Sequence, residues 1–297
     1  MARLNGKFEN RDSNDLAEIR LLVLDIDGTI VDESNRVRDS VARAIDSAQR
    51  LGVAVAIATG RRFQSSLHIF ESIGSKLPLI CYEGALIREP ETGLVRRHWP
   101  LEPRVAAQML DHTERLDLGD RVSVHFYTQD DVYVSNLNDA ALKYFEGSNV
   151  EPIVVSDLRQ VLDREPTKVI MLSDDEQVIA GLSSGLKDSH SRTQMKQYRS
   201  ITFLEAFHPE VNKRLAVRYL AEEIMGLRPA NVMAVGDDFT DIEMLQYAGI
   251  GVAMGNAPVK VQASADWVTT TIEKDGVARA VERWVLRAKS DTAPTIA

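Results

Sequence analysis

Several polar residues in this chain stand where short apolar runs stop. Asp25 and Asp27 follow residues 21–24, Thr59 comes just past 53–57, Asp237 and Asp238 follow 232–235, and Asn256 follows 251–254. A short continuous apolar run reads as a strand buried on both faces. In an open parallel sheet, ligands bind beyond the carboxyl ends of the strands, near the point where strand order reverses. If the first and fourth runs are neighbours, Asp25 faces Asp237 although 212 positions separate them. Carboxylates crowded in this way repel one another and raise one another's pKa unless a cation neutralises them. Oxygen donors with no His or Cys cluster favour a hard metal, and Mg²⁺ keeps waters that a phosphate oxygen can displace. The competing reading takes Asp25-Ile-Asp27-Gly28-Thr29 as a turn whose Asp and Gly serve local hydrogen bonding. It leaves the second acidic pair, at another strand tip, without an explanation.

The elements that must hold these residues follow from periodicity. Residues 37–51 read as a helix with Val41, Ala44, Ile45 and Ala48 on one face and Gly52 as its stop. Another helix leads to a third apolar run at 79–82. Strand and helix in alternation mean parallel pairing with right-handed crossovers. The alternation resumes with a helix at 213–225, the run at 232–235, a helix to Tyr247 and the run at 251–254. The expected fold is α/β, a Rossmann-like parallel sheet in the order 3-2-1-4-5. Between the two halves the texture changes. Residues 122–126 and 132–135 flank a hairpin signal at 129–131, further strands are expected at 168–172 and 201–204, and helices at 102–116, 138–145 and 175–186. We therefore expect a discontinuous core domain over 17–87 and 208–288, an inserted α+β domain over 88–207, a disordered tail at 1–16 and a frayed end at 288–297.

Composition narrows the partners. With 297 residues, 44% hydrophobic and 27% charged, the chain is neither disordered, collagen-like nor coiled coil. Its net charge of −9 is spread without a basic block, which argues against nucleic acid. The single cysteine, Cys81, excludes an intrachain disulfide and fits a reducing compartment. No apolar run is long enough to span a bilayer and the first residues lack a signal core, so a cytoplasmic protein is expected. No heptad or apolar stripe announces a partner subunit. His125 and Tyr127 are read as half-buried hairpin residues, and Cys81 as core rather than reactive.

The motifs in order resemble those of the haloacid dehalogenase-like phosphatases. Asp25-Ile-Asp-Gly-Thr29 looks like their first motif, Ala58-Thr59-Gly60-Arg61 the second, Lys213 the third and Gly236-Asp237-Asp238-Phe-Thr-Asp241 the fourth. The stretches Val252-Ala-Met-Gly-Asn256, Ala265-Asp266-Trp-Val-Thr and Asp275-Gly276-Val277-Ala278 are similar to the Cof-type branch, which inserts its α/β cap where the extra block lies here. The resemblance covers roughly residues 21–285. It implies that Asp25 is a nucleophile forming an aspartyl-phosphate, and that Asp27 is the general acid and base. It further implies Mg²⁺ held by the Asp25 carboxylate, the Asp27 backbone carbonyl and Asp237. Thr59, the Gly60 amide, Lys213 and Asn256 are implied to bind phosphate, while Asp238 and Asp241 orient metal waters and Lys213. The implied partner is a small phosphate ester, of a sugar or polyol.

Three departures stand out: Glu83-Gly84-Ala85 where Asn-Gly-Ala is usual, Thr240 where Asn is usual, a pattern that resembles trehalose-phosphate phosphatases, and Gln262 for a common Lys. None removes a catalytic group. Phosphomutases and phosphatases of the trehalose- or sucrose-phosphate type stay open as neighbouring activities. From another class, an aspartyl-phosphate signalling module stays open too.

Overall fold

The computed structural model describes residues 18–129, 131–146, 150–186, 191–198 and 201–286, so the tails expected at 1–16 and 288–297 lie outside the described residues. Two compact units share the chain. The first takes the chain up to Arg61, Ser66–Arg96 and the chain from Asn212 onward; the second takes Arg62–Ser65 and Arg97–Val211.

In chain order the strands are β1 (Leu21–Leu24), β2 (Ala54–Ile57), β3 (Leu79–Cys81), β4 (Leu86–Arg88), β5 (Val95–His98), β6 (Ser123–Tyr127), β7 (Val132–Val134) and β8 (Ile153–Val154). They continue with β9 (Lys168–Ser173), β10 (Arg192–Tyr198), β11 (Ile201–Phe207), β12 (Val232–Gly236), β13 (Ile250–Ala253) and β14 (Trp267–Val268). The first unit is built on a parallel sheet in the order β14-β13-β12-β1-β2. All four residues of β1 are fully buried, as a strand covered on both faces requires. Each such side chain contributes about 1.5–3 kcal/mol.

The strand order agrees with expectation for the first, second, fourth and fifth runs, with two differences. The third run, β3, meets the chain beyond β2 through one parallel bridge, Ala58 to Ile80, and otherwise pairs antiparallel with β4 in a small sheet β3-β4-β5. The cause is local: Tyr82 and Glu83 both take positive φ, 52° and 57°, which turns the chain back on itself at once. The second difference is β14, a two-residue edge strand too short to leave an alternation in the sequence. The helix Asp39–Arg50 buries Val41, Ile45 and Ala48, as its spacing predicts. The helix expected at 213–225 is α-helical over Lys213–Arg218 and continues as a π-helix over Tyr219–Ile224.

The second unit carries a sheet in the order β10-β11-β9-β6-β7-β8, antiparallel except for the β7–β8 pair. Alternate residues Val124 and Phe126 of β6, with Val169 and Met171 of β9 and Leu204 of β11, join Met109 and Leu182 from the helices Pro103–Arg115 and Glu176–Gly185 in one apolar core. His125 points the other way yet is fully buried, stacked on Phe145 at 4.9 Å, with Nε2 2.9 Å from Ser123 Oγ. Burial pushes its pKa down to about 3, so at neutral pH it is an uncharged interior residue. Tyr127 is buried as well, deeper than a half-buried hairpin position. Cys81 lies in the interior of the first unit, where burial lifts its thiol to about 12 and leaves it inert.

Candidate active site

Parallel register does the first part of the assembly. Leu24 is level with Val235 of β12 and with Ile57 of β2, and the Asp25 amide extends the ladder by donating to the Val235 carbonyl at 3.0 Å. Residues leaving these strands therefore emerge side by side. One ligand atom from each of Asp25, Asp237 and Asp241 lies within 4.8 Å of the others.

Lys213 sits at the centre of this group, at the start of its helix, where the Asn212 side chain caps the Leu215 amide at 2.8 Å. Its ammonium donates to Asp25 Oδ1 and to Asp241 Oδ1, each at 2.6 Å. Asp241 is wholly buried, and its other oxygen accepts the amides of Asp237 and Asp238, both at 2.9 Å. Both Asp241 oxygens are thus committed. Asp241 shapes the loop and holds Lys213. Burial pushes the Asp25 carboxyl well above the usual carboxylate range, although the Lys213 charge pulls the other way. Burial alone would lower the Lys213 pKa, but Asp241, Asp25 and Glu83 together lift it well above its ordinary value, so it stays charged.

Asp237 is held from two sides. Thr29 Oγ1 donates to its Oδ1 at 3.0 Å and Asn256 Nδ2 approaches its Oδ2 at 3.3 Å. Gly28 packs directly on this carboxylate at φ +75°, and any Cβ there would collide with it. Burial, then the neighbouring Asp241 charge, raises the Asp237 carboxyl to about 7. These hard oxygen donors, with more acid than Lys213 can neutralise, fit a hard divalent cation. Asp241 is tied to the Lys213 ammonium and two backbone amides, whereas Asp237 is held only by a hydroxyl and a side-chain amide, and Asp25 only through Oδ1 by Lys213.

Asp27 stands apart from that group, with its side chain 63% exposed. Arg61 grips it with both ends of the guanidinium, Nε to Oδ2 at 2.8 Å and Nη2 to Oδ1 at 2.5 Å, while Nη1 reaches Asn35 Oδ1 at 2.7 Å. Planar two-point pairing fixes orientation as well as charge. Arg61 was readable only as part of Ala58-Thr59-Gly60-Arg61, and its partner lies 34 positions away. We expect Arg61→Ala to lower kcat about 10–100-fold with KM changed less than about threefold, because it loosens Asp27 without removing it; steady-state kinetics check this.

Thr59 is fully buried and its hydroxyl accepts the Arg61 amide at 3.2 Å, which closes the turn that presents Gly60. Asn256 uses its amide nitrogen on the Gly28 carbonyl at 2.9 Å and on Asp237, and its carbonyl on the Ile272 amide at 3.1 Å. In this geometry Asn256 braces Asp237 and ties it to the Gly28 and Ile272 backbone. Gln262 in turn donates to the carbonyls of Gly255 and Ala257, at 3.2 and 2.8 Å, and fixes the loop that carries Asn256. The Asp238 carboxylate accepts from Thr240 Oγ1 at 3.4 Å and lies outside the three-carboxylate group.

The family model of the haloacid dehalogenase-like hydrolases matches residues 22–281. The chain belongs to this family. Its resemblance to the Cof-type phosphatase branch is upheld by relatives aligned nearly end to end. The 5-amino-6-(5-phospho-D-ribitylamino)uracil phosphatase YitU of Bacillus subtilis (strain 168) is 28% identical over 267 residues, covering 89% of this chain and 97% of its own. A second phosphatase of that name from the same organism, YcsE, is 30% identical over 274 residues, covering 91% and 97%. Among solved structures, a Thermotoga maritima protein at 29% identity superposes with a TM-score of 0.76 over 89% of this chain and 97% of its own. The chain is a haloacid dehalogenase-like hydrolase, an enzyme with the parallel-sheet core of that fold. Among the described residues no helix is long and apolar enough to cross a membrane.

Proposed function

We propose that this hydrolase is a Mg²⁺-dependent phosphatase that acts in the cytoplasm on a small sugar or polyol phosphate, through an aspartyl-phosphate at Asp25. The observation that carries this reading is the placement of a buried carboxylate, Asp25, within 2.6 Å of the Lys213 ammonium and beside Asp237. A carboxylate oxygen of Asp25 attacks phosphorus as the ester P–O bond breaks, and Asp27 gives the departing alkoxide its proton. Asp27 then takes a proton from water, whose oxygen attacks the same phosphorus. The P–O bond to Asp25 breaks, inorganic phosphate is formed and Asp25 is regenerated. Lys213, Thr59 and the Gly60 amide offset charge on the transferring group, where preorganised donors are worth a few kcal/mol each. Asp25, Asp237 and the Asp27 carbonyl would hold Mg²⁺, which when bound would supply the positive charge that lets one anion approach another.

The inserted unit is assigned the part of a cap that excludes water and selects the substrate. The polyol preference draws support from the two Bacillus subtilis relatives, whose named substrate carries its phosphate on a ribityl chain. Phosphate release across a panel of sugar, polyol, nucleotide and cofactor phosphates, with and without Mg²⁺, tests the reading. We expect metal-dependent release with a polyol or sugar phosphate preferred. Conversion of a sugar phosphate to its isomer without release, or a stable phosphoprotein without turnover, would overturn it.

A further inference from the structure

Glu83 occupies an unusual position for an acid. It is 6% exposed, and it lies between the two segments assigned to phosphate binding. Its amide donates to the Thr59 carbonyl at 3.0 Å, and its neighbour Tyr82 donates to the Arg61 carbonyl at 3.0 Å, so the turn is stitched to the loop that presents Gly60. The carboxylate itself comes so close that a Cβ on Gly60 would lie 2.5 Å from Glu83 Oε1. On the other side, Glu83 Oε2 is 3.8 Å from Lys213 Nζ. Gly84 seals the junction: at φ +103° it packs on the carbonyl of Asn212, which caps the Lys213 helix, and a Cβ there would be 2.6 Å from that oxygen.

Two further points mark this as more than a turn. Glu83 and Tyr82 hold the left-handed conformation without being glycine, a cost tolerated mainly where the surrounding structure requires it. In addition, an ammonium has three donors. Lys213 spends two on Asp25 and Asp241, and the Glu83 carboxylate lies near the remaining one. A phosphate held by Lys213 would share that ammonium with the Glu83 carboxylate, which also packs against Gly60.

We propose that Glu83 is a charge counterweight built into the phosphate site, which weakens the hold on phosphate and so hastens product release. The inference rests on the phosphatase reading and adds to it a residue that tunes affinity and touches no bond being made or broken. The sign is fixed by electrostatics: removing a buried negative charge beside an anion site tightens anion binding, whereas loosening a merely structural turn weakens it.

The test is calorimetric titration of the full-length protein, saturated with Mg²⁺, with inorganic phosphate. Glu83→Gln and Glu83→Asn should bind phosphate about tenfold more tightly than wild type, and Glu83→Asp, which keeps the charge, within about twofold of it. Asn adopts the left-handed region readily, so Glu83→Asn carries the test if the Gln variant does not fold. Amide variants that bind phosphate no more tightly than wild type would overturn the proposal and leave the phosphatase reading standing. Absence of phosphate binding in wild type and in every variant would bring down both.

Discussion

Asp25→Asn is expected to lower kcat by at least about a thousandfold while the melting temperature stays within about 5 °C of wild type. The two halves of that expectation have separate causes. Asn is nearly isosteric with Asp and can still accept from Lys213, so packing at the end of β1 is preserved. Stability is not held by the charge of Asp25, because burial already disfavours its ionised form and Lys213 keeps Asp241 at 2.6 Å as a partner. The amide oxygen, in contrast, is a poor nucleophile toward phosphorus, and no other acid in the group can take over. Asp241 has both oxygens committed to Lys213 and to two amides, and Asp237 is fixed by Thr29 and Asn256. Single-turnover phosphate release beside a thermal melt reads both quantities. Activity within about tenfold of wild type would remove Asp25 from the mechanism, whatever the melt shows.

What was legible in the sequence and what was not divides along a physical line. Residues 21–24, 232–235 and 250–253 are strands buried on both faces, and such strands announce themselves as unbroken apolar runs. Where those runs end, Asp25 and Asp237 follow within two residues, so the two principal acids could be placed from spacing alone. The pairing of Asp27 with Arg61, the brace from Asn256 and the grip of Gln262 could not. Each depends on where a loop turns after its strand, and loop direction leaves no periodic trace. The course of β3 turned on the dihedrals of Tyr82 and Glu83, two residue types that give no hint of a left-handed turn. Strand β10 reads Arg-Thr-Gln-Met-Lys-Gln-Tyr, too polar to declare itself, and it exists because β11 offers it an edge along seven paired positions. Local composition carries the buried centre of the fold, and long-range pairing supplies its polar edges.

Removal of divalent metal is expected to abolish turnover completely, with Mg²⁺ restoring it, and to lower the melting temperature by roughly 5–10 °C. The first effect follows from charge: Asp25, Asp237 and Asp241 converge within 4.8 Å around a single ammonium, a setting that repels a phosphate dianion. The second follows from mass action, since a ligand at a hundredfold excess over its Kd stabilises the native state by about 2.7 kcal/mol, and each kcal/mol moves the melt of a chain this size by about 2–4 °C. The dependence on pH has a definite sign. Without a cation, burial holds the Asp237 carboxyl up at about 7, so proton and metal compete for the same oxygens. Raising the pH through that value removes the proton, and the Mg²⁺ concentration needed for half-maximal activity should fall between pH 6 and pH 8. Titration of Mg²⁺ into chelator-treated protein at several pH values, followed by both phosphate release and thermal melt, decides the matter. Full activity in metal-free buffer, or a metal requirement that rises with pH, would contradict the assignment of Asp25 and Asp237 as the oxygen donors.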